Sequence, residues 1–159
     1  MIVSKTPLRI SFVGGGSDYF NPETNIPGRV IVTTINKYMY VLCNKRYNNT
    51  VRVSYSETEI VKKTSHLKHL IIKEALRYCK IRNGVEICTV ADVPSSGSGL
   101  ASSSALTVGL INVINAYKGK KLNKYNLANH ACIIEREKCK KPIGFQDQFS
   151  TAYGGFNKI

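Results

Sequence analysis

The stretch Asp92-Val93-Pro94-Ser95-Ser96-Gly97-Ser98-Gly99-Leu100-Ala101-Ser102-Ser103-Ser104-Ala105 constrains this chain more than any other. It follows Val85-Glu86-Ile87-Cys88-Thr89-Val90, whose alternating apolar side chains predict a strand. It opens Ser104 to Tyr117, where Leu106, Leu110, Ile111, Val113 and Ile114 predict a helix. A strand that enters a helix through such a loop presents unpaired N–H groups and a partial positive charge, which suit a phosphate. Gly97 and Gly99 let the backbone wrap an anion, and the serine hydroxyls offer donors or a magnesium ligand. It is not a Walker loop, because G-x-x-x-x-G-K-[ST] is absent. Nor is it a dinucleotide fingerprint, because Ser102 stands where the third glycine would. On composition alone the same stretch also reads as a serine-rich loop ahead of a helix.

The remaining pattern predicts a single α+β unit without internal repeat or linker. Residues 1–5 and 8–13 read as extended with Pro7 between them, followed by Gly14-Gly15-Gly16. Val30 to Asn36, Tyr38 to Lys45 and Val51 to Tyr55 read as strands, rich in β-branched and aromatic side chains. Thr64 to Lys80 has a helical apolar period and ends before Gly84, and Leu122 to Cys139 predicts another helix with Asn123 as its cap. The glycine-rich segment from Pro142 to Ile159 shows no clear element. Lys5 reads as a surface lysine, and Tyr38 and Tyr40 read as packing residues before they read as a nucleoside pocket.

Composition narrows the function classes. With 43% apolar residues in 159, the chain is neither disordered nor collagen-like. No apolar run reaches the roughly 18 residues of a membrane span, and no secretory signal is expected from the N-terminus. Five cysteines without a C-x-x-C pair argue against a disulfide framework or zinc ribbon, so reduced thiols in a cytoplasmic protein are expected. His66 and His69 could share a helix face but lack a third ligand. The net charge of +13 is concentrated in residues 37–82 and 118–141. Such a surface attracts polyanions, yet no zinc finger, recognition-helix pattern or RNA-binding aromatic signature accompanies it, so nucleic acid is not the expected partner. Anionic small substrates such as nucleotides fit better.

Three segments together resemble one family. Pro94 to Ser103 looks like the second motif of the GHMP kinases (galactokinase, homoserine kinase, mevalonate kinase and phosphomevalonate kinase), whose core is P-x-x-x-G-L-x-S-S, here with one more residue between Pro94 and Gly99. Pro7-Leu8-Arg9 with Gly14-Gly15-Gly16-Ser17-Asp18-Tyr19 resembles the first motif, P-x-R…G-x-x-[ST]-D-Y, and Gly144-Phe145-Gln146-Asp147-Gln148 resembles the G-x-x-D-Q segment. The form around Arg9 and the serines after Leu100 are most similar to the heptose-phosphate kinase branch.

The resemblance implies an N-terminal GHMP kinase domain over residues 1–159, with a mixed sheet packed by helices and a fold shared with a ribosomal-protein domain. The family's third motif, in a C-terminal domain, has no counterpart here. The expectation is therefore a truncated product, or half of a split enzyme completed by a partner chain or by self-association. The implied cofactors are ATP and Mg²⁺. Pro94, Gly97, Ser98, Gly99, Leu100, Ala101, Ser102 and Ser103 would cradle the ATP phosphates, and Ser103 and Glu135 would hold magnesium. Asp147 would accept the proton of the attacking hydroxyl, with Arg9 stabilising charge at the transferring phosphoryl group. Asp18, Gly15 and Gly16 would face a sugar or sugar phosphate, in this branch a heptose 7-phosphate taken at its anomeric hydroxyl. The rival expectation is a non-catalytic nucleotide- or nucleic-acid-binding module.

Overall fold

The computed structural model describes residues 1–19, 28–94 and 97–159. Two long strands, β1 (Ile2–Val13) and β2 (Ile31–Lys45), pair antiparallel along most of their length. β1 runs straight through Pro7, where a break was expected. It is an edge strand paired only with β2, so the missing N–H is tolerated, and the register shifts between Pro7 and Arg9. β2 is likewise one strand across Lys37, not two.

Further strands β3 (Val51–Ser54), β4 (Thr58–Val61) and β5 (Val85–Ala91) complete the order β1-β2-β5-β3-β4. β3 and β5 are parallel and the other pairs antiparallel, which makes the sheet mixed. The parallel pair requires a crossover, supplied by β4 and helix α1 (Leu70–Tyr78). Sequence periodicity predicts a longer helix, Thr64 to Lys80. The structure instead holds a short 3₁₀ turn, Thr64–His66, and begins α1 at Leu70. The Glu59 carboxylate accepts the backbone N–H groups of Lys68 at 2.7 Å and His69 at 3.2 Å, which draws that segment onto β4. His69 then caps α1 by accepting from Ile72 N.

Helix α2 (Ser102–Tyr117) lies between the sheet and the other helices and is buried on nearly every side. Leu110, Ile111 and Ile114 are fully buried with Leu8, Val41 and Ile87 of the sheet. The close approach of α2 to the strands depends on Gly109. A Cβ at that position would stand 2.9 Å from Val41 Cγ2 and 3.0 Å from Thr6 Oγ1.

α3 (Lys124–Cys132) starts at Asn123, whose side chain accepts from Asn126 N at 2.8 Å, as the sequence leads one to expect. It continues into a π-helical turn, Ile133–Lys138, closed by the Cys139 N–H on the Ile134 carbonyl at 2.8 Å. The last segment, expected to be without an element, forms α4 (Gln146–Tyr153) and a sixth strand, β6 (Phe156–Lys158), paired with the start of β2. α4 escapes sequence reading because its buried residues, Gln148, Ser150 and Thr151, are polar and leave no apolar period.

All five cysteines are free, and burial pushes the thiols of Cys43 and Cys79 up to about 11 and that of Cys132 up to about 12. They behave as small apolar packing groups. Lys5 Nζ sits 3.8 Å from the centre of the Tyr38 ring. Among the described residues no helix is long and apolar enough to cross a membrane.

The contact beneath Gly109 leaves no room for a branched side chain. Gly109→Val is expected to lower stability by about 1–3 kcal/mol through overpacking, read as a reduced midpoint in chemical denaturation. An unchanged midpoint would mean that α2 has slack over β1 and β2.

Candidate active site

The loop after β5 carries left-handed backbone angles at alternate positions: Gly97 at φ +74°, Gly99 at +64° and Ala101 at +62°. Such alternation turns successive N–H groups towards one concave side and makes an anion-binding nest. It leads into the first turn of α2, where no side chain among the described residues caps the N–H groups. Ala101 is the telling residue, because a left-handed angle is disfavoured once a Cβ is present. Ser98 and Ser102 exchange a hydrogen bond across the loop at 3.1 Å. Pro94 leads into the loop, and Ser95 and Ser96 of the motif lie outside the described residues.

β1 delivers Arg9 to this loop. Its backbone N–H donates to the Leu100 carbonyl at 3.2 Å and its Nη1 to the Gly99 carbonyl at 2.7 Å. The rest of the guanidinium grips one oxygen of Asp147, Nε at 2.9 Å and Nη2 at 2.6 Å from Oδ1. Asp147 Oδ2 has no protein partner among the described residues. Burial lifts the Asp147 carboxyl above its ordinary value of 3.8, Arg9 opposes the rise, and Glu135 and Asp18 add to it. The folded state therefore holds this proton more tightly than the unfolded chain. The contribution of this group to stability falls as pH climbs from the ordinary value through the raised one.

A second network surrounds Glu135, which lies in the π-helical turn on the face that α3 buries with Ala131 and Cys132 and which is fully buried. Its Oε2 accepts from Ser104 Oγ at 2.6 Å and Gln148 Nε2 at 2.5 Å. Its Oε1 accepts from Ser103 Oγ at 2.9 Å and Lys141 Nζ at 3.0 Å. Ser103 Oγ and Glu135 Oε1 are hard oxygens side by side at the start of α2. That donor set fits magnesium, which binds through few protein ligands plus substrate phosphates.

A third network fixes Asp18. Its Oδ2 accepts from the Phe145 and Gln146 N–H groups at 2.6 and 2.7 Å, and its Oδ1 from Gln146 Nε2 at 3.0 Å. Asp18 thus caps α4 from the far end of the sequence. Gly144 makes room for it, since a Cβ there would come within 2.0 Å of Asp18 Oδ2. The expected role for Asp18 was to face a sugar, and in this structure its carboxylate is already engaged by these donors. Gly15 and Gly16 line a hollow of about 310 Å³ with Arg9, Ser11, Gly99 and Gln146. Ser11 Oγ and Gln146 Oε1 are buried without a hydrogen-bond partner among the described residues. Orphaned polar atoms at the edge of a hollow are positions where a hydroxylated ligand would gain hydrogen bonds. A separate hollow of about 380 Å³, lined by Met39, Tyr55, His69, Val93 and Leu106, spans the two flanks of the phosphate loop.

Three consecutive residues of α4 therefore serve three networks: Gln146 with Asp18, Asp147 with Arg9, and Gln148 with Glu135. Gln146, Lys141 and Ser104 were not singled out from sequence. Gln146 and Ser104 stood inside recognised motifs, whereas nothing in the order of residues marks Lys141.

A ¹³C-detected carboxyl titration is expected to give Asp147 a midpoint above its ordinary value. Arg9→Gln should move it further up, because the opposing positive charge is removed. A downward move in Arg9→Gln would contradict the cause assigned here.

Comparison with known proteins identifies the family and the fold. The family description "GHMP kinases N terminal domain" matches residues 55–155. The D-glycero-alpha-D-manno-heptose 7-phosphate kinase of Campylobacter jejuni is 32% identical over 98% of this chain and 49% of its own length. The galactokinase of Thermotoga petrophila is 27% identical over 94% of this chain and 43% of its own. The crystal structure of a D-glycero-D-manno-heptose 1-phosphate kinase from Bacteroides thetaiotaomicron superposes with a TM-score of 0.86 at 29% identity, covering 98% of this chain and 55% of that one. The chain spans about half the length of the curated relatives it matches.

Proposed function

The chain belongs to the GHMP kinases through their N-terminal domain, and from that premise we propose that it is the ATP-binding half of a sugar kinase. It would bind ATP with magnesium and transfer the terminal phosphoryl group to a hydroxyl of a sugar or sugar phosphate. The observation that carries this reading is the Arg9–Asp147 pair beside the phosphate nest, with the hollow of Ser11 and Gln146 adjoining it.

Phosphoryl transfer asks a protein for positioning and charge neutralisation more than for covalent chemistry. The N–H groups of residues 97–103 would receive the phosphates, and the hollow beside Met39, Tyr55 and Leu106 is where we seat the nucleoside. Ser103 and Glu135 would hold magnesium, whose charge offsets that of the phosphate oxygens. Arg9 holds Asp147 through Oδ1, which leaves Oδ2 to take the proton of the acceptor hydroxyl. The same guanidinium stands against Gly99 of the loop, near the phosphoryl group in transfer. Ser11 Oγ and Gln146 Oε1 would meet acceptor hydroxyls. We name a heptose 7-phosphate, phosphorylated at its anomeric hydroxyl, as the first acceptor to try, because two of the similar proteins are described as heptose-phosphate kinases. A cytoplasmic setting supplies ATP and keeps the free cysteines reduced.

The experiment is magnesium- and substrate-dependent ADP release over a panel of hexoses, heptoses and their phosphates, with nucleotide affinity measured in parallel. Asp147→Asn is expected to lower turnover by about 10²–10⁴ while leaving nucleotide affinity nearly intact. An equal loss of both would overturn the base assignment. Nucleotide binding without turnover would keep the ATP-site reading alone, and absence of nucleotide binding would sink the kinase reading.

A further inference from the structure

Glu135 is fully buried, and its charge is balanced by a residue that sequence reading passed over. Lys141 Nζ lies 3.0 Å from Glu135 Oε1 and 3.1 Å from Ser103 Oγ, while those two oxygens are 2.9 Å apart. The ammonium therefore closes a triangle on the same two oxygens that form the magnesium donor pair. The other carboxylate oxygen cannot substitute, since Ser104 and Gln148 already donate to Oε2. Lys141 is brought there by the backbone. Lys140 has φ +54°, an angle disfavoured for a residue with a side chain, and the Lys141 N–H returns to the Glu135 carbonyl at 2.9 Å. Its side chain is 30% exposed and lines a hollow of about 370 Å³ together with Tyr19, Asn129, Glu137 and Phe145. The hollow gives the Lys141 side chain an open side, and its lining holds one further carboxylate, Glu137, and one further cation, Arg136.

Resting on the kinase reading above, we propose that Lys141 is an internal counter-ion of Glu135, and that a divalent cation reaches Ser103 and Glu135 by exchange with it. A buried carboxylate needs a cation at all times. A metal ion on the same oxygens would stand within about 4 Å of the ammonium, where like charges repel strongly even at an effective dielectric of ~20. One cation must therefore leave when the other arrives. Exchange holds the site together before metal binds and weakens metal affinity by the fraction of molecules in which Lys141 sits in place.

The test uses Mn²⁺ alone, without nucleotide, read by electron paramagnetic resonance and by thermal unfolding in chelator and in Mn²⁺. Lys141→Met is expected to melt about 5 °C or more below the parent in chelator, since the buried charge loses its partner. Mn²⁺ should restore most of that loss and bind about tenfold or more tightly than to the parent. Lys141→Arg keeps the charge and should keep the parent's weak affinity, and adding Glu135→Gln to Lys141→Met should abolish the Mn²⁺ response. Equal Mn²⁺ affinity in the parent and Lys141→Met overturns the exchange, as does unchanged melting of Lys141→Met in chelator. If Lys141→Met does not fold, Lys141→Gln carries the same comparison. Because neither readout involves nucleotide, failure here is separable from failure of the kinase reading, which is judged on nucleotide binding.

Discussion

A carboxylate without solvent must be surrounded by donors, and Glu135 meets that demand from three directions. Ser103 and Ser104 come from the start of α2, Gln148 from α4 and Lys141 from the loop that follows the π-helical turn. The cost of leaving such a charge unsatisfied exceeds the worth of any single hydrogen bond in the molecule. These segments are therefore held in one mutual arrangement. The phosphate loop, the first turn of α2 and the catalytic candidate on α4 inherit their positions from it.

Glu135 continues the buried face of α3 into the π-helical turn, four residues after Ala131 and three after Cys132, and so faces the start of α2. Asp18 accepts the free N–H groups at the start of α4 from a distant point in the sequence, whereas Glu135 reaches the start of α2 through the hydroxyls of Ser103 and Ser104. Arg9 joins β1 to Gly99 of the loop and to Asp147 of α4. Such cross-bracing suits chemistry that depends on position.

Much of the fold was legible in local patterns. Strands β1, β2, β3 and β5, helix α2 and the Asn123 cap follow from apolar alternation, helical period and a short polar side chain in the right place, whereas β4 and β6 were not expected. α4 was not legible, because Gln148, Ser150 and Thr151 are buried by networks instead of by apolar packing. The interruption at Leu67 to His69 was hidden for a related reason. An amphipathic period continues across it, and only Glu59, brought alongside by β4, removes the N–H groups that a helix would use. Among the candidate site residues, those within the three motifs could be named in advance. The engagement of Asp18 at α4 and the seat of Lys141 could not.

The sequence by itself determined the local form of the loop after β5. Glycines between a strand and a helix start permit left-handed backbone angles beside unpaired N–H groups wherever the strand is placed, an arrangement that suits an anion. It also determined the family, through three motifs in a fixed order. Only the tertiary structure decided which carboxylates are free and which are engaged. Asp147 keeps one oxygen open, Asp18 is taken by α4, and Glu135 is balanced by Lys141. That allocation depends on which donors folding brings within about 3 Å, and such distances are set by the packing of α2 and α4 on the sheet, not by separation along the chain.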